Sequence, residues 1–269
     1  MKTKLFLIAF AVVILFSCSS DNSSSGNPSV VNYLPLTDGN YWTYDVSTVG
    51  QSISNRDSLY VANDTVIDTK TYKKLKTLTI PFGFYSNSLR NNGLRKENDA
   101  IYMTGNAGLN LGNTLPIDLS VSDLMIFKES ATLNQQLGTI SGVINQDFQG
   151  YPLVINYTLK TTALETLPSY TAEDNTVYTD VKKVKITLNL KVSTTITIPG
   201  LPLPISVVIL NPQDVVVSTQ YYAKNIGMVY TNTIISYQLQ DFSQFGITLP
   251  IPQSGTQTQN EYLVTYHIN

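Results

Sequence analysis

The sequence offers few residues that could carry chemistry. His267 is its only histidine and Cys18 its only cysteine. A structural zinc site takes four Cys or His ligands, so these two residues cannot form one. A Ser-His-Asp triad would have to use His267, and no serine has the flanking glycines of a nucleophile elbow. Because His267 alternates with Tyr266 and Ile268 in a strand-like pattern, we interpret it as an ordinary sheet residue.

Carboxylate pairs are the second candidate chemistry, since glycoside hydrolysis uses two carboxyl groups about 5–10 Å apart. Glu165, Glu173 and Asp174 lie in one loop-like stretch, where they read as solvated charges. Asp64 and Asp68 could ligate calcium but lack the spacing of an EF-hand loop. There is no phosphate-binding glycine loop and no dinucleotide fingerprint. We therefore expect no catalytic residue, no metal site and no cofactor, and a hydrolase is the least favoured function.

The N-terminus has the features of an export signal. Lys2 and Lys4 precede an apolar run, residues 5–16, which is shorter than the roughly 20 residues that span a bilayer core. Ser17 is a small residue before the cleavage point, and the tetrapeptide LFSC ending at Cys18 resembles a bacterial lipobox. A plain secretory signal is the alternative. Lipidation is favoured because a lone thiol in an exported protein is otherwise unexplained.

This interpretation divides the chain into three parts. Residues 1–17 are predicted to be a lipoprotein signal peptide, residues 18–29 a flexible tether after lipidated Cys18, and residues 30–269 a single β-rich domain. The expected location is the outer membrane, with the membrane itself as partner through the N-terminal lipid anchor. Some Bacteroidetes lipoproteins have several acidic residues as a surface-export signal, and here only Asp21 resembles it. The sequence therefore does not decide between the periplasmic and the surface-facing leaflet.

Composition narrows the fold and the partners. The formal net charge is −2, and removing Lys2 and Lys4 makes it −4, so no basic field favours nucleic acid. Seventeen tyrosines and many Thr, Val and Ile residues favour strands. Alternation is clearest over residues 184–192, where Val184, Ile186, Leu188 and every second residue share one face.

The predicted fold is a mainly antiparallel β domain, a large curved sheet or an open barrel. Further strands are expected at residues 41–48, 57–63, 71–80, 153–161 and 262–268, and a hairpin at 215–239 with Gly227 at its bend. Residues 122–136 are the one helix candidate. Segments 71–80 and 180–190 share a Lys-Lys-apolar-Lys core, so the domain could consist of two repeated halves; chance similarity of short strands is the alternative.

Two motifs resemble those of uncharacterised Bacteroidetes-type outer-membrane lipoproteins. YLPLTDGNYWTYDV resembles their PLxxGNxWxY opening, and YYAKNIGMVYTNT resembles a later strand-turn motif, with Asn225 in place of its first glycine. The resemblance implies location and a β fold, with Trp42 at one end of a sheet, and no activity. Lipid-holding open β barrels of the LolA/LppX type are an analogy only.

Asp-Ser/Thr followed by a small or apolar residue is a frequent O-glycosylation signal in Bacteroidetes proteins. Asp57-Ser58-Leu59 and Asp64-Thr65-Val66 both fit this three-residue pattern. We therefore predict modification at Ser58 and Thr65, although so short a motif also arises by chance.

Proline-interrupted apolar runs are the remaining feature. Thr-Ile-Pro or Thr-Leu-Pro occurs five times, starting at Thr79, Thr114, Thr166, Thr197 and Thr248. Proline removes a ladder donor, so these runs are expected at sheet edges, strand ends or loops. Their apolar tips either fold inward as plugs or line a rim that contacts a ligand, a lipid surface or a protein. The expected rim residues are Ile198, Leu201, Leu203, Ile205, Leu249 and Ile251.

Two functions of different class follow. The favoured one is a non-catalytic interaction or accessory module of the cell envelope, with a filled core and a docking face for an envelope protein. The alternative is a binder or carrier of a lipid or other apolar ligand, held in a cavity lined by the inner face of residues 184–192.

Overall fold

Alternating sequence produces strands through most of this chain, as a computed structural model of the protein shows. The structure describes residues 32–52, 54–111, 115–196, 203–242 and 251–269. In these residues the first six strands are β1 Tyr41–Thr48, β2 Ser54–Ile67, β3 Lys70–Lys76, β4 Gly93–Glu97, β5 Ala100–Leu111 and β6 Leu115–Lys128. The other six are β7 Gln136–Phe148, β8 Tyr151–Thr171, β9 Val177–Ile196, β10 Ile205–Ala223, β11 Gly227–Gln238 and β12 Ser254–His267. One helix, α1, spans Phe84–Leu89.

The strands form a single antiparallel sheet in the order β6-β5-β4-β3-β2-β1-β12-β11-β10-β9-β8-β7. β1 pairs with β12, the last described strand, and the sheet curls into a nearly closed barrel. Side chains link its two edges, β6 and β7: Gln146 Nε2 of β7 donates to the Pro116 carbonyl of β6 at 3.0 Å. Thr161 Oγ1 of β8, the strand beside β7, donates to the Met125 carbonyl of β6 at 2.5 Å. The predicted mainly-β, open-barrel fold class is confirmed.

Burial follows the predicted alternation except at one point. Val184, Leu188, Leu190 and Val192 of β9 are buried in the core, whereas Ile186 is half-buried and Thr187, predicted on the other face, is buried. The predicted hairpin is also confirmed: β10 and β11 pair across a turn in which Asn225 has φ +59° and Gly227 φ +120°. These left-handed values explain why the turn uses Asn and Gly.

Trp42 closes one end of the barrel against this turn. Its side chain is fully buried, and its indole Nε1 donates to the Ile226 carbonyl at 2.6 Å. Beside it, Asn32 and Asn225 exchange two hydrogen bonds, of 3.0 Å and 2.6 Å. The described chain therefore begins at this end, which we call the N-terminal end.

The predicted helix at residues 122–136 is wrong. Its first half is the end of β6, and Gln136 already begins β7. Leu124 and Ile126 alternate into the core while pairing places Leu124 opposite Met103 of β5. Asp123 has φ +47° at an irregularity of this ladder. The run of large apolar residues from Leu124 to Phe127 packs as a strand because a neighbouring strand is available.

The predicted strand at residues 71–80 is too long, because β3 ends at Lys76. Beyond it the backbone leaves the sheet, and the Leu78 amide donates to Ser58 Oγ at 3.0 Å. The chain then enters the barrel mouth and forms α1, which the sequence did not predict. We call residues 77–92 the plug.

The proposed repeat falls on equivalent strands. Each half of the barrel has six strands, and the two Lys-rich segments occupy the third strand of each half, β3 and β9. Thr-Ile-Pro lies in the sequence after the third strand of each half, at Thr79 and Thr197, and Thr-Leu-Pro after the fifth, at Thr114 and Thr248. Four of the five proline motifs thus match in pairs, which supports the two-halves hypothesis.

The described prolines of these motifs lie where a strand has a hydrogen-bonded neighbour on only one side, or beyond the end of a strand. Pro116 is in the edge strand β6. Pro168 lies in the part of β8 beyond Thr162, where β7 no longer pairs with it. Pro81 precedes α1. These positions confirm the expectation that proline marks edges and strand ends.

Gly227 tests how tightly Trp42 fills the N-terminal end. A Cβ there would lie 2.8 Å from Trp42 Nε1, whereas one on Gly150, whose φ of +84° is also left-handed, would meet nothing within 4 Å. We expect Gly227→Ala to lower the unfolding free energy by about 2–4 kcal/mol and Gly150→Ala by about 1 kcal/mol. Urea denaturation measures both; equal losses would show that Trp42 is loosely packed.

Candidate docking face at the plug end

Antiparallel topology gathers six connections between the described strands at the end opposite the N-terminal end. They join β1 to β2, β3 to β4, β5 to β6, β7 to β8, β9 to β10 and β11 to β12. We call this the plug end, because the plug enters the barrel here. Tyr85, Ser86 and Leu89 of the plug are buried, so α1 fills the interior that the strands enclose.

Buried side chains of the barrel bind the plug backbone at the start of α1. Asp57 of β2 accepts the Phe82 and Gly83 amides at 2.9 and 2.7 Å. Glu261 of β12 accepts the Tyr85 amide at 2.6 Å, and the Ser86 amide and hydroxyl at 3.3 and 3.1 Å.

Gln259, two residues before Glu261 on β12, completes this set of contacts. It accepts the Phe84 amide at 2.7 Å and donates to the Phe82 carbonyl at 2.9 Å. Helix N-termini leave their first amides without internal partners, and here the barrel wall supplies the acceptors.

The two carboxyl groups have elevated pKa values because they are desolvated. Burial raises the pKa of Asp57, and the amides of Phe82 and Gly83 oppose the shift. The pKa of Glu261 rises to about 7, chiefly through burial and further through the nearby Asp57 charge. Among the described residues neither carboxylate has a salt-bridge partner. Backbone dipoles and hydrogen bonds therefore stabilise this charge.

Aromatic rings continue the packing across the interior. Tyr85 contacts Tyr44 and Tyr222 edge-on, with ring centroids 5.8 and 6.4 Å apart, and Tyr222 contacts Phe127 at 5.1 Å. Beside α1 lies a cavity of about 30 Å³. That volume accommodates a water molecule, whereas drug-sized ligands occupy pockets of about 300–1,000 Å³.

A wider groove lies outside this packed region, at the mouth. It has a volume of about 370 Å³ and runs between the plug and the ends of β11 and β12. Phe82 and Phe84 line one side, and Ile235, Tyr237 and Gly255 the other.

Apolar side chains are exposed around this mouth. Leu78, Ile80 and Phe82 of the plug are 79%, 72% and 59% exposed. Leu203 and Ile205, at the start of β10, are 72% and 37% exposed. Large apolar side chains exposed at one end of a barrel are candidates for a contact surface. We call these five residues the apolar rim.

Three of the predicted rim residues lie in the described structure. Leu203 and Ile205 are exposed as expected, whereas Ile251 is half-buried and packs against the core. Ile198, Leu201 and Leu249 lie outside the described residues. The plug residues of the rim were missed, because their apolar run was assigned to a strand.

The predicted modification sites lie on β2. Ser58 is half-buried, and its hydroxyl accepts the Leu78 amide, while the neighbouring Asp57 carboxylate is buried under the plug. Thr65 is half-buried near the β2–β3 turn, beside an exposed Asp64 that pairs with Lys73. Both sites remain predictions. Cys18 and the predicted signal and tether segments lie outside the described residues.

The candidate catalytic side chains have other partners. His267 is exposed, stacks on Tyr41 at 5.9 Å and contacts Asn269 Oδ1 at 3.0 Å. Glu165 pairs with Lys183 at 2.5 Å, and Glu173 accepts the Tyr262 hydroxyl at 2.7 Å. Within the described ranges, no three His, Cys, Asp or Glu residues are grouped as metal ligands would be.

Comparison with known proteins gives no relative. No family model matches the chain, and no curated protein or solved structure is significantly similar to it. Separately, the part of the chain that the structure describes has no helix long and apolar enough to cross a membrane.

Asp57, Gln259 and Glu261 were missed in the sequence, although a signal existed. Alternation puts Asp57 in phase with Leu59 and Val61, and Glu261 in phase with Leu263. A carboxylate on the core face of a strand needs a buried partner, so this phase indicates an internal contact.

Gly83 tests how closely the plug fits. An added Cβ would overlap the Glu261 carboxylate, whereas one on Gly108 would make an ordinary 3.4 Å contact with Asp118. We expect Gly83→Ala to lower the unfolding free energy by about 3 kcal/mol, and Gly108→Ala to change it by less than about 1 kcal/mol. Chemical denaturation measures both. A neutral Gly83→Ala would mean that the plug does not occupy the mouth in solution.

Glu261 also predicts a pH dependence of stability. Its pKa rises from 4.5 to about 7 on folding, so the folded state holds the proton more tightly and stability falls as the pH rises from 4.5 to 7. The loss should reach about 3 kcal/mol. Glu261→Gln should flatten this slope, and Asp118→Asn, at an exposed carboxylate, should leave it unchanged. Stability that rises between pH 5 and 7 would refute the assignment.

Proposed function

We propose that this protein is a non-catalytic interaction module of the cell envelope, held at the outer membrane by lipidated Cys18, with the plug end as its docking face. The observation that carries the proposal is a barrel whose interior is filled by its own plug while apolar side chains remain exposed at the same end. The location rests on the export signal and on the lipobox-like tetrapeptide.

The bonding of the plug supports the docking role. Asp57 and Glu261 accept hydrogen bonds from backbone amides of the plug, so they do not face the groove as free carboxylates. Rim side chains such as Ile80 and Phe82 have no such internal use. Burying them against another molecule would contribute about 25 cal/mol for each Å² of apolar surface removed from water.

The groove supports a second candidate, the binding of an apolar ligand. Its volume of about 370 Å³ lies at the lower limit for small-molecule sites. Its lining includes the aromatic side chains of Phe82, Phe84 and Tyr237. A ligand there would sit at the mouth rather than along the inner face of residues 184–192, where α1 fills the space.

Native mass spectrometry of the full chain, extracted from the membranes of producing cells, distinguishes the two functions. An interaction module should carry its covalent acyl groups and no further stoichiometric ligand. One extractable lipid per chain, lost in Phe82→Asp but retained in Val177→Asp at the other end of the barrel, would instead establish the carrier.

The anchor has its own test in the same material. Processing at Cys18 should leave a chain that begins at this residue and carries acyl groups, and Cys18→Ala should release the protein from the membrane fraction. A mature chain with an unmodified cysteine would refute the lipoprotein assignment, but it would not bear on the proposed docking face.

A further inference from the structure

Buried polar side chains line the inner face of three neighbouring strands, β10, β11 and β12. They form two rows in which each residue lies opposite the next one on the adjacent strand: Gln220, Thr231 and Glu261, and beside them Ser218, Thr233 and Gln259. All six are at most 8% exposed. Beyond β10 the first row continues with the buried Val184 of β9, so this polar wall ends at Gln220.

Most of the polar wall is satisfied inside the barrel. The Ser218 hydroxyl lies 3.2 and 2.9 Å from the hydroxyls of Thr231 and Thr233. Gln259 and Glu261 bind the backbone of the plug. These five residues therefore need no further molecule to pair their side chains.

Gln220 is the exception in this wall. It is 2% exposed, and its Oε1 accepts the Tyr222 hydroxyl at 2.7 Å. Its Nε2 has no hydrogen-bond partner among the described residues, and the buried Tyr85 hydroxyl of the plug has none either. Either orientation of the amide leaves one of its polar atoms without a partner. Buried polar groups of this kind are almost always paired with protein or with ordered water, so these two groups point to a bound molecule.

Both groups belong to the wall of the cavity beside α1. Gln220 and Tyr222 from β10 and Tyr85 and Ser88 from the plug are the polar residues of its lining, and the rest of the lining is apolar. The Ser88 hydroxyl donates to the Tyr85 carbonyl at 2.8 Å, which leaves its oxygen available as an acceptor. The cavity volume of about 30 Å³ exceeds the roughly 10–15 Å³ that a water molecule needs, and several polar groups are within its lining to bind one.

We propose that this cavity is an internal hydration site whose ordered water binds the Gln220 amide and the plug side chains of Tyr85 and Ser88. The water accepts from Gln220 Nε2 and donates to the two hydroxyl oxygens. It links the end of the polar wall to the plug, in addition to the direct bonds that Asp57 and Glu261 make. The site depends on neither the lipid anchor nor the docking face.

Crystals of the full chain, with and without xenon under pressure, test the occupant. Polar cavities hold water, whereas apolar cavities stay dry and bind xenon. In the wild-type protein we expect water density within about 3.2 Å of the Gln220 amide nitrogen and no xenon in this cavity. Gln220→Leu should lose this water, because it removes the donor. Xenon in the wild-type cavity, or no water density there while other internal waters are resolved, would overturn the proposal.

Two further variants make this test specific. Gln257 is half-buried on β12 and lines the groove at the mouth rather than this cavity, so Gln257→Leu should keep the water. Ala107→Val adds two methyl groups to the cavity wall and should displace the water while the Gln220 amide stays intact. It therefore tests the site even where Gln220→Leu does not fold. Water that persists unchanged in Ala107→Val would lie outside the cavity and would contradict the assignment.

Oxygen-17 relaxation dispersion of water tests the same site in solution. The full chain and its variants are measured in one detergent, so that the detergent contribution cancels between them. The dispersion amplitude of the wild-type protein should exceed that of Gln220→Leu and of Ala107→Val by the contribution of at least one long-lived water molecule, and it should equal that of Gln257→Leu. Equal amplitudes in all these proteins would show that no water is held beside Gln220.

Discussion

The interior of this barrel depends on the bonds between two buried carboxylates and the backbone of the plug. Glu261 and Asp57 together accept four amides and one hydroxyl from residues 82–86. Without these acceptors, α1 would bury unpaired amides, and without the plug the carboxylates would face an apolar interior. The carboxylates therefore stabilise the buried amides of the plug, and the amides stabilise the buried carboxylates. The exposed rim follows, because drawing residues 83–89 inward leaves Leu78, Ile80 and Phe82 at the mouth.

The sequence predicted the walls of the barrel far better than its contents. Period-two alternation found β9 and the β10–β11 hairpin because each strand has one buried face. It failed at α1, a helix of six residues that is too short to show a period and is held by tertiary bonds rather than by helix propensity. It failed again at residues 122–136, where a strand neighbour decides the outcome. The sequence indicated the interior carboxylates only through strand alternation, because Glu261 falls on the same face of its strand as Leu263.

The candidate docking face could be predicted only in part for a related reason. Proline and apolar content identified Leu203 and Ile205 as a strand-end rim, and both are exposed. Whether a given run folds inward depends on what the opposite wall offers, which a local pattern does not contain. The run at residues 77–92 has an exposed part and a buried part: its first residues form the rim, and Tyr85 and Leu89 enter the core.

The two matching halves show why one such connection became a plug. The β3–β4 connection reaches carboxylates on its neighbouring strands β2 and β12. The strands at the corresponding positions in the other half, β8 and β6, present apolar inner side chains instead, such as Ile155 and Leu119. A segment folding inward from between β9 and β10 would find no comparable acceptors there for its amides. The described end of that connection, with Leu203, is exposed. Asp57 and Glu261 thus account for the internal plug that follows β3.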